Sequence, residues 1–294
     1  MDHSFKFDHW TDDICLHIRL DNDTTSFGGE ELPSIISAWS ASIPHPNCKG
    51  APVAKMIQRR FTMPRMQSLC IWEDTGDSIA RHIWDAGLML ADFLRRSYNQ
   101  GYDGLQGLDD ILRISRRSNV HVIELGTGCG IVGIALAQLL PKVRVVLTDL
   151  PDAMERVHTN IEDMPQDKKG CMSFHVVDWS ANLPPTIAKE HFDLIVAADC
   201  TYNPSTAPSL VQTFVSLASS SPEACILVAM KVRHPAEAVF FELMKAGELM
   251  QSGHASIPLP TPRGEEDAVE EQCIDVYTFR RLKGGQVCGA MRRR

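Results

Sequence analysis

The sequence has no C-x-x-C pair and none of the cysteine and histidine spacings of a zinc site, although it contains nine cysteines. An odd number of scattered thiols does not make a disulfide framework, and no metal ligand set is expected. Reduced thiols fit the cytoplasm, with the nucleus as the other reducing compartment open to the chain. No apolar run approaches the roughly 20 residues of a membrane-spanning helix. The first residues, MDHSFKFDHWTDDICLHIRL, put acids where a secretory leader carries a basic region and an apolar core, so secretion is not expected. A basic excess is missing as well. With 37 acidic against 29 basic side chains the net charge is −8, which disfavours a nucleic-acid footprint and weakly favours a basic partner. No internal repeat is visible. What remains is an ordinary globular composition, 44% hydrophobic and 22% charged over 294 residues, enough for one large α/β domain with an accessory segment.

Ile14, Leu16, Ile18 and Leu20 alternate with Cys15, His17 and Arg19, the period of a half-buried strand. Asp21 to Gly29 reads as turn. The proline-containing stretch from Pro33 to Pro64 has no regular pattern, and Arg59-Arg60 within it reads as a solvated pair. Residues 1–75 are thus expected to form a β-rich, partly irregular accessory region. From Ile83, the run IWDAGLMLADFLRR has apolar residues at helical spacing and a basic end, which suits a helix entering a main domain over residues 76–282. A Gly- and Asp-rich loop, Gly101 to Asp110, follows. Strand-like VHVIEL, VRVVLTDL, SFHVVDW, FDLIVAAD, ACILVAM and QCIDVYTF then alternate with helical patterns at 130–140, 152–162, about 206–219 and 236–247. Such alternation implies a parallel sheet covered on both faces. Residues 283–294, ending GGQVCGAMRRR, read as a flexible tail.

The run VIELGTGCGIVGIALAQLL places Gly126, Gly128, Gly130 and Gly133 between a strand and a helix. Glycines there allow close backbone approach, and the helix N-terminus offers unpaired N–H groups to an anion. Gly128-x-Gly130-x-x-Gly133 matches a dinucleotide fingerprint, and Asp149 ends the next strand, where a carboxylate accepts ribose hydroxyls. Both features suit NAD and S-adenosylmethionine alike. Glu124, two residues ahead of Gly126, gives the run an E-x-G-x-G-x-G form that resembles motif I of the seven-strand S-adenosylmethionine methyltransferases, and the resemblance extends to Asp178-Trp179 after the third strand and Asp199-x-x-Tyr202 after the fourth. In an open parallel sheet all of these lie outside the carboxyl ends of strands, in one crevice.

Taken in order, IWDAG, ELGTGCGIVG, TDLPD, Asn160, DW and D-x-x-Y resemble the methyltransferase-like 21 group of protein-lysine methyltransferases, also called family 16, over roughly residues 70–282. The resemblance implies a class I, Rossmann-like, doubly wound and mostly parallel seven-stranded sheet with helices on both faces. It implies S-adenosyl-L-methionine as cofactor, leaving as S-adenosyl-L-homocysteine, with Trp84, Glu124, Gly126, Thr127, Gly128, Gly130, Asp149, Leu150, Asp178, Trp179 and Ala198 around it. It also implies Asp199 and Tyr202 as the catalytic, substrate-side pair, and a partner protein that presents a lysine. The N-terminal 70 residues do not align with that group. No membrane partner is expected, nucleic acid is disfavoured, and a monomer is the favoured state.

Methyl transfer to a lysine is an in-line displacement that needs positioning, desolvation and a neutral amine, whose ordinary pKa is about 10.4. Neither a metal nor a covalent nucleophile is required. Asp199 would accept a hydrogen bond from the amine and Tyr202 would close the opposite wall. Rival readings keep the cofactor with a small amine or another nitrogen as acceptor, or make the domain a non-catalytic interaction protein. At single positions, Trp84 suits core and pocket wall equally, and Asn160 reads as a helix cap. Lys231, Arg233 and His234 read as a solvated loop, and Cys129 and Cys200 as packing.

Overall fold

The computed structural model describes residues 3–6, 15–20, 56–63, 65–74, 79–100, 105–231, 238–259 and 272–282. The tail 283–294, the Asp21–Gly29 turn, Arg233 and His234 lie outside these residues. Strands β5 (Val120–Leu125) and β9 (Cys225–Met230) are apolar on both faces and buried along nearly their whole length, as in a sheet covered on both sides. With β6 (Val143–Asp149), β7 (Met172–Val176), β8 (Leu194–Ala198), β10 (Leu249–Pro258) and β11 (Cys273–Arg281) they make a seven-stranded sheet. Its order is β10-β11-β9-β8-β5-β6-β7. Five strands run parallel, and β11 lies antiparallel between β9 and β10.

The strand order reverses at β5. The chain steps outward from β5 through β6 to β7, then returns to lay β8 against the other side of β5 and continues to β9. A crevice opens at the carboxyl ends of the two strands that flank such a reversal, because the connecting loops leave in opposite directions. Here Leu125 of β5 stands beside Ala197 of β8.

Side-chain alternation sorts the core into two layers. Val120 and Val122 face α1 (Asp85–Gln100), α2 (Gln106–Ile114) and α3 (Ile131–Leu139), whereas Ile123 and Leu125 face α5 (Ala207–Ser220) and α6 (Ala238–Ala246). A four-stranded antiparallel sheet, β1 (His3–Lys6), β2 (Cys15–Leu20), β3 (Met56–Thr62) and β4 (Leu69–Asp74), precedes α1. Phe61 of β3, Met63 just after it, and Leu69 and Ile71 of β4 enter the first layer, so the small sheet shares the core of the large one. Full burial of an aliphatic or aromatic side chain contributes about 1.5–3 kcal/mol, which is ample to hold the two together.

Several readings of the sequence change. Arg59 is buried against the carboxylate of Glu73 while Arg60 is exposed; neighbours on a strand point to opposite faces, so the two arginines are not one solvated pair. The Gly- and Asp-rich stretch ends in helix α2, which starts at Gln106. Strand β10 was hidden by its polar residues; it is an edge strand with a bulge between Gln251 and Gly253 and most of its length exposed. The helical pattern at 152–162 resolves into a 3-10 turn, Pro151–Ala153, followed by α4 (Met154–Glu162).

Candidate active site

Between β5 and α3 the backbone turns through Gly126, Gly128 and Gly130, all in the left-handed region (φ 63°, 55° and 83°). At Gly126 the turn also has no room: a Cβ would stand 2.6 Å from Cys200 Sγ and 3.0 Å from the Trp179 ring. Beneath it, buried Glu124 accepts two hydrogen bonds at Oε2, from the Thr127 hydroxyl and the Gly133 N–H, each 2.8 Å. Glu124 thus braces the turn from below. Gly133 is required because a Cβ there would run into the Leu147 side chain and that carboxylate.

Burial pushes the Glu124 carboxyl up to about 8, against the hydrogen bonds from Thr127 and Gly133 that favour its charge; the negative Asp149 adds to the rise. A carboxyl raised on folding binds more protons in the folded than in the unfolded chain between its two pKa values. Its contribution is therefore present below its unfolded value, about 4.3, and is lost as pH climbs through about 8. Glu124→Gln keeps an oxygen acceptor and removes the titration. Chemical denaturation from pH 5 to 8 should show unfolding free energy falling more steeply with pH in the native chain than in the variant. Parallel pH curves would contradict this.

Asp149, at the end of β6, accepts the Gly128 N–H at Oδ2 and the Leu150 N–H at Oδ1, both at 2.7 Å. Burial raises its pKa against those two bonds. Each oxygen keeps a lone pair, and Leu150 beside it is exposed, so the strand end presents a carboxylate and an apolar side chain outward. Asp178 is also exposed; the Ser180 hydroxyl and N–H hold it below the usual carboxylate range. Trp179 packs over Gly126, and its buried Nε1–H has no hydrogen-bond partner among the described residues. A glycine cradle, a paired-acceptor carboxylate and an orphaned indole donor fit a nucleoside-bearing ligand with an amino-acid end.

The adjoining cleft is lined by Trp84, Gly126, Thr127, Gly128 and Ala198 among the expected residues, with Glu124 at its floor. Trp84 is therefore a wall; its Nε1–H donates to the Ile79 carbonyl at 3.0 Å. Gly130 sits behind as the residue before α3. Asp149, Leu150, Asp178 and Trp179 are not in this lining; Asp149 reaches it through the Gly128 N–H and Trp179 through its packing on Gly126. Beyond β8, Asp199 is buried in a left-handed conformation (φ 57°), with its N–H donating to the Ala229 carbonyl of β9 at 2.8 Å. Tyr202 is half exposed. Burial raises its hydroxyl pKa first, with the neighbouring Cys200, Asp149 and Asp199 adding to the rise.

Other residues carry the geometry without a signal of their own. His82, Ile83 and Gly87 join the lining, and Gly87 lets α1 approach Ile131 of α3, whose methyl would stand 3.1 Å from a Cβ. The strap from β4 to α1 is fastened by Arg81, which bonds Asp74 at 3.1 Å and both the carbonyl and carboxylate of Asp152; Asp74 also holds Arg156 at 2.5 Å. Asn160 is no cap. It lies inside α4 at 0% exposure, accepts the Trp72 N–H at 2.7 Å, and donates to the carbonyls of Trp72 (3.0 Å) and Cys129 (2.8 Å). Lys231 does not belong to a solvated loop either: its ammonium pairs with Asp85 at 3.0 Å. Cys129 and Cys200 are buried packing residues.

Residues 64–247 match a protein family described as lysine methyltransferase. The protein N-lysine methyltransferase METTL21A of Xenopus tropicalis is 33% identical over 175 residues, 59% of this chain and 70% of that protein. The EEF1A lysine methyltransferase 3 of Mus musculus is 32% identical over 169 residues, 56% of this chain and 62% of its own length. A UPF0665 family protein of Schizosaccharomyces pombe is 27% identical over 237 residues, 80% of this chain and 68% of that protein.

Proposed function

The chain belongs to the lysine methyltransferase family, and from that premise we propose that Asp199 and Tyr202 receive the acceptor lysine of a non-histone protein at the mouth of the glycine-turn cleft. It is an S-adenosylmethionine-dependent enzyme acting on protein lysine. The observation that carries the site assignment is convergence: the glycine turn, Asp149 and the Asp199-x-x-Tyr202 element leave neighbouring parallel strands where the order reverses. In this reading Asp149 accepts the ribose hydroxyls, Leu150 and Asp178 border the adenine, Trp179 and Trp84 close opposite walls, and the N–H groups of the turn face the amino-acid end. When bound, the cofactor supplies a methyl group already activated on a sulfonium. The residues of the chain then have to position and dry the amine. Asp199 accepts a hydrogen bond from the amine and directs its lone pair, the departing proton goes to water, and Tyr202 shields the far side. We place the enzyme in the cytoplasm, with the nucleus as second site, and read it as a monomer; the six described cysteines are all free thiols.

Tritiated-methyl transfer to a cell extract, followed by assay on the purified acceptor, tests the assignment. Asp199→Ala and Tyr202→Phe should each lower kcat by about 10- to 100-fold, the scale of a misplaced reacting group. S-adenosylhomocysteine affinity should stay within about threefold, the equivalent of less than 1 kcal/mol. Full activity in both variants would remove these two residues from the reaction.

A further inference from the structure

The ion pair between Asp85 and Lys231 joins two sides of the crevice that are 146 residues apart in sequence. Asp85 opens α1, directly after Trp84 and two residues before Gly87, both of which line the cleft. Lys231 follows the last residue of β9, the strand whose Ala229 carbonyl holds the Asp199 backbone. The pair therefore spans the acceptor side of the cleft, between the wall that carries Trp84 and the strand ends that carry Ala198 and Asp199. Its side chains are neither buried nor free in solvent, at 26% and 21% exposure. Solvent reaches the pair, so an incoming cation can compete with Lys231 for the carboxylate.

A lysine ammonium on a carboxylate at this place has the chemistry of the substrate itself. We propose that Asp85 is the carboxylate on which the acceptor lysine first lands, and that Lys231 holds that carboxylate until the acceptor displaces it. The proposal rests on the lysine-methyltransferase reading and names a residue pair that sets acceptor affinity. While Lys231 is on Asp85, that carboxylate is already paired and attracts other cations less. An arriving ammonium takes the carboxylate, the Lys231 side chain swings toward solvent, and the acceptor chain enters beside Asp199.

A simple fastening of α1 to β9 makes a different prediction. Removing either partner of a fastener would affect acceptor binding in one direction, whereas removing a competitor and removing its target act oppositely. The test uses the full chain saturated with S-adenosylhomocysteine and the probe Nα-acetyl-L-lysine N-methylamide, titrated by NMR. Lys231→Met should bind the probe about 5- to 10-fold more tightly, a change of roughly 1 kcal/mol. Asp85→Asn should bind it about 10-fold more weakly, and Lys231→Arg, which keeps the charge, should match the native chain. The uncharged norleucine analogue should gain nothing from Lys231→Met. Shifts of the same sign in Lys231→Met and Asp85→Asn, or no shift in Lys231→Met, overturn the proposal, as does failure of the probe to bind the S-adenosylhomocysteine complex. If Asp85→Asn does not fold, Lys231→Met against Lys231→Arg decides. Absence of S-adenosylhomocysteine binding in the native chain, measured separately by calorimetry, would instead count against the methyltransferase reading.

Discussion

Asn160→Ala is expected to lower the unfolding temperature by about 5–8 °C, the consequence of a stability loss of about 3–5 kcal/mol in a chain of this size. The side-chain amide of Asn160 acts as an extra peptide unit on the edge of β4. Its Oδ1 accepts the Trp72 N–H and its Nδ2 donates to the Trp72 carbonyl, while the second Nδ2 hydrogen goes to the Cys129 carbonyl in the glycine turn. Alanine would leave three backbone groups without these partners in a place the solvent reaches poorly, and each orphaned group costs about 1–3 kcal/mol. Asn160→Asp should be nearly as damaging, since a carboxylate has no hydrogen to give to either carbonyl. Because one of the three bonds ends on the turn, cofactor affinity should fall along with stability. Differential scanning calorimetry with and without S-adenosylhomocysteine measures both. A shift below about 2 °C would mean that water replaces the amide without penalty.

Asp149→Ala should weaken S-adenosylmethionine binding about 100-fold or more while leaving the unfolding temperature within about 3 °C of the native value. Two effects combine in the affinity. The carboxylate is the proposed acceptor for two ribose hydroxyls, and hydrogen bonds to a charged group contribute about 1.5–3 kcal/mol each. It also aligns the Gly128 and Leu150 N–H groups that shape the rim. Stability responds differently. Burial already disfavours the charge of Asp149, as its raised pKa records, so deleting it removes a desolvation cost that offsets the two lost backbone bonds. Calorimetric titration that gives an affinity within about fivefold of native would show that the ribose contacts lie elsewhere.

What could be read from the sequence was what is local along the chain. The strand, turn and helix around Gly126 to Gly133 are contiguous, and each residue there is constrained by its immediate neighbours: Glu124 reaches three residues on to Thr127 and nine on to Gly133. The apolar runs of β5, β6, β8 and β9 announced a sheet covered on both faces. Strand β10 did not announce itself, because an edge strand with one wet face needs few apolar residues. Helix α2 was masked by the glycine and aspartate of the stretch that leads into it. Asn160 looked like a cap because asparagine commonly ends helices and it lies two residues before the end of α4. Its partners are backbone groups 31 and 88 residues away, and a backbone group leaves no mark on sequence. Lys231 and Asp85 fail the same way at a separation of 146 residues.

The bond from Trp72 to Asn160 also imposes an order in time. Strands β3 and β4 are made first, yet the amide that completes the β4 edge lies 88 residues further along the chain. Synthesis at about 5–20 residues per second delays it by roughly 4–18 s. During that interval the apolar faces of β3 and β4 have no α1, α3 or α4 to meet, and the nascent chain depends on the cell to keep them apart from other chains. Ribosome-bound chains stalled before residue 160 should therefore be cut readily at β4 by added protease, and chains stalled well beyond the end of β6 and α4 should resist; equal cleavage of both would show that the small sheet matures alone.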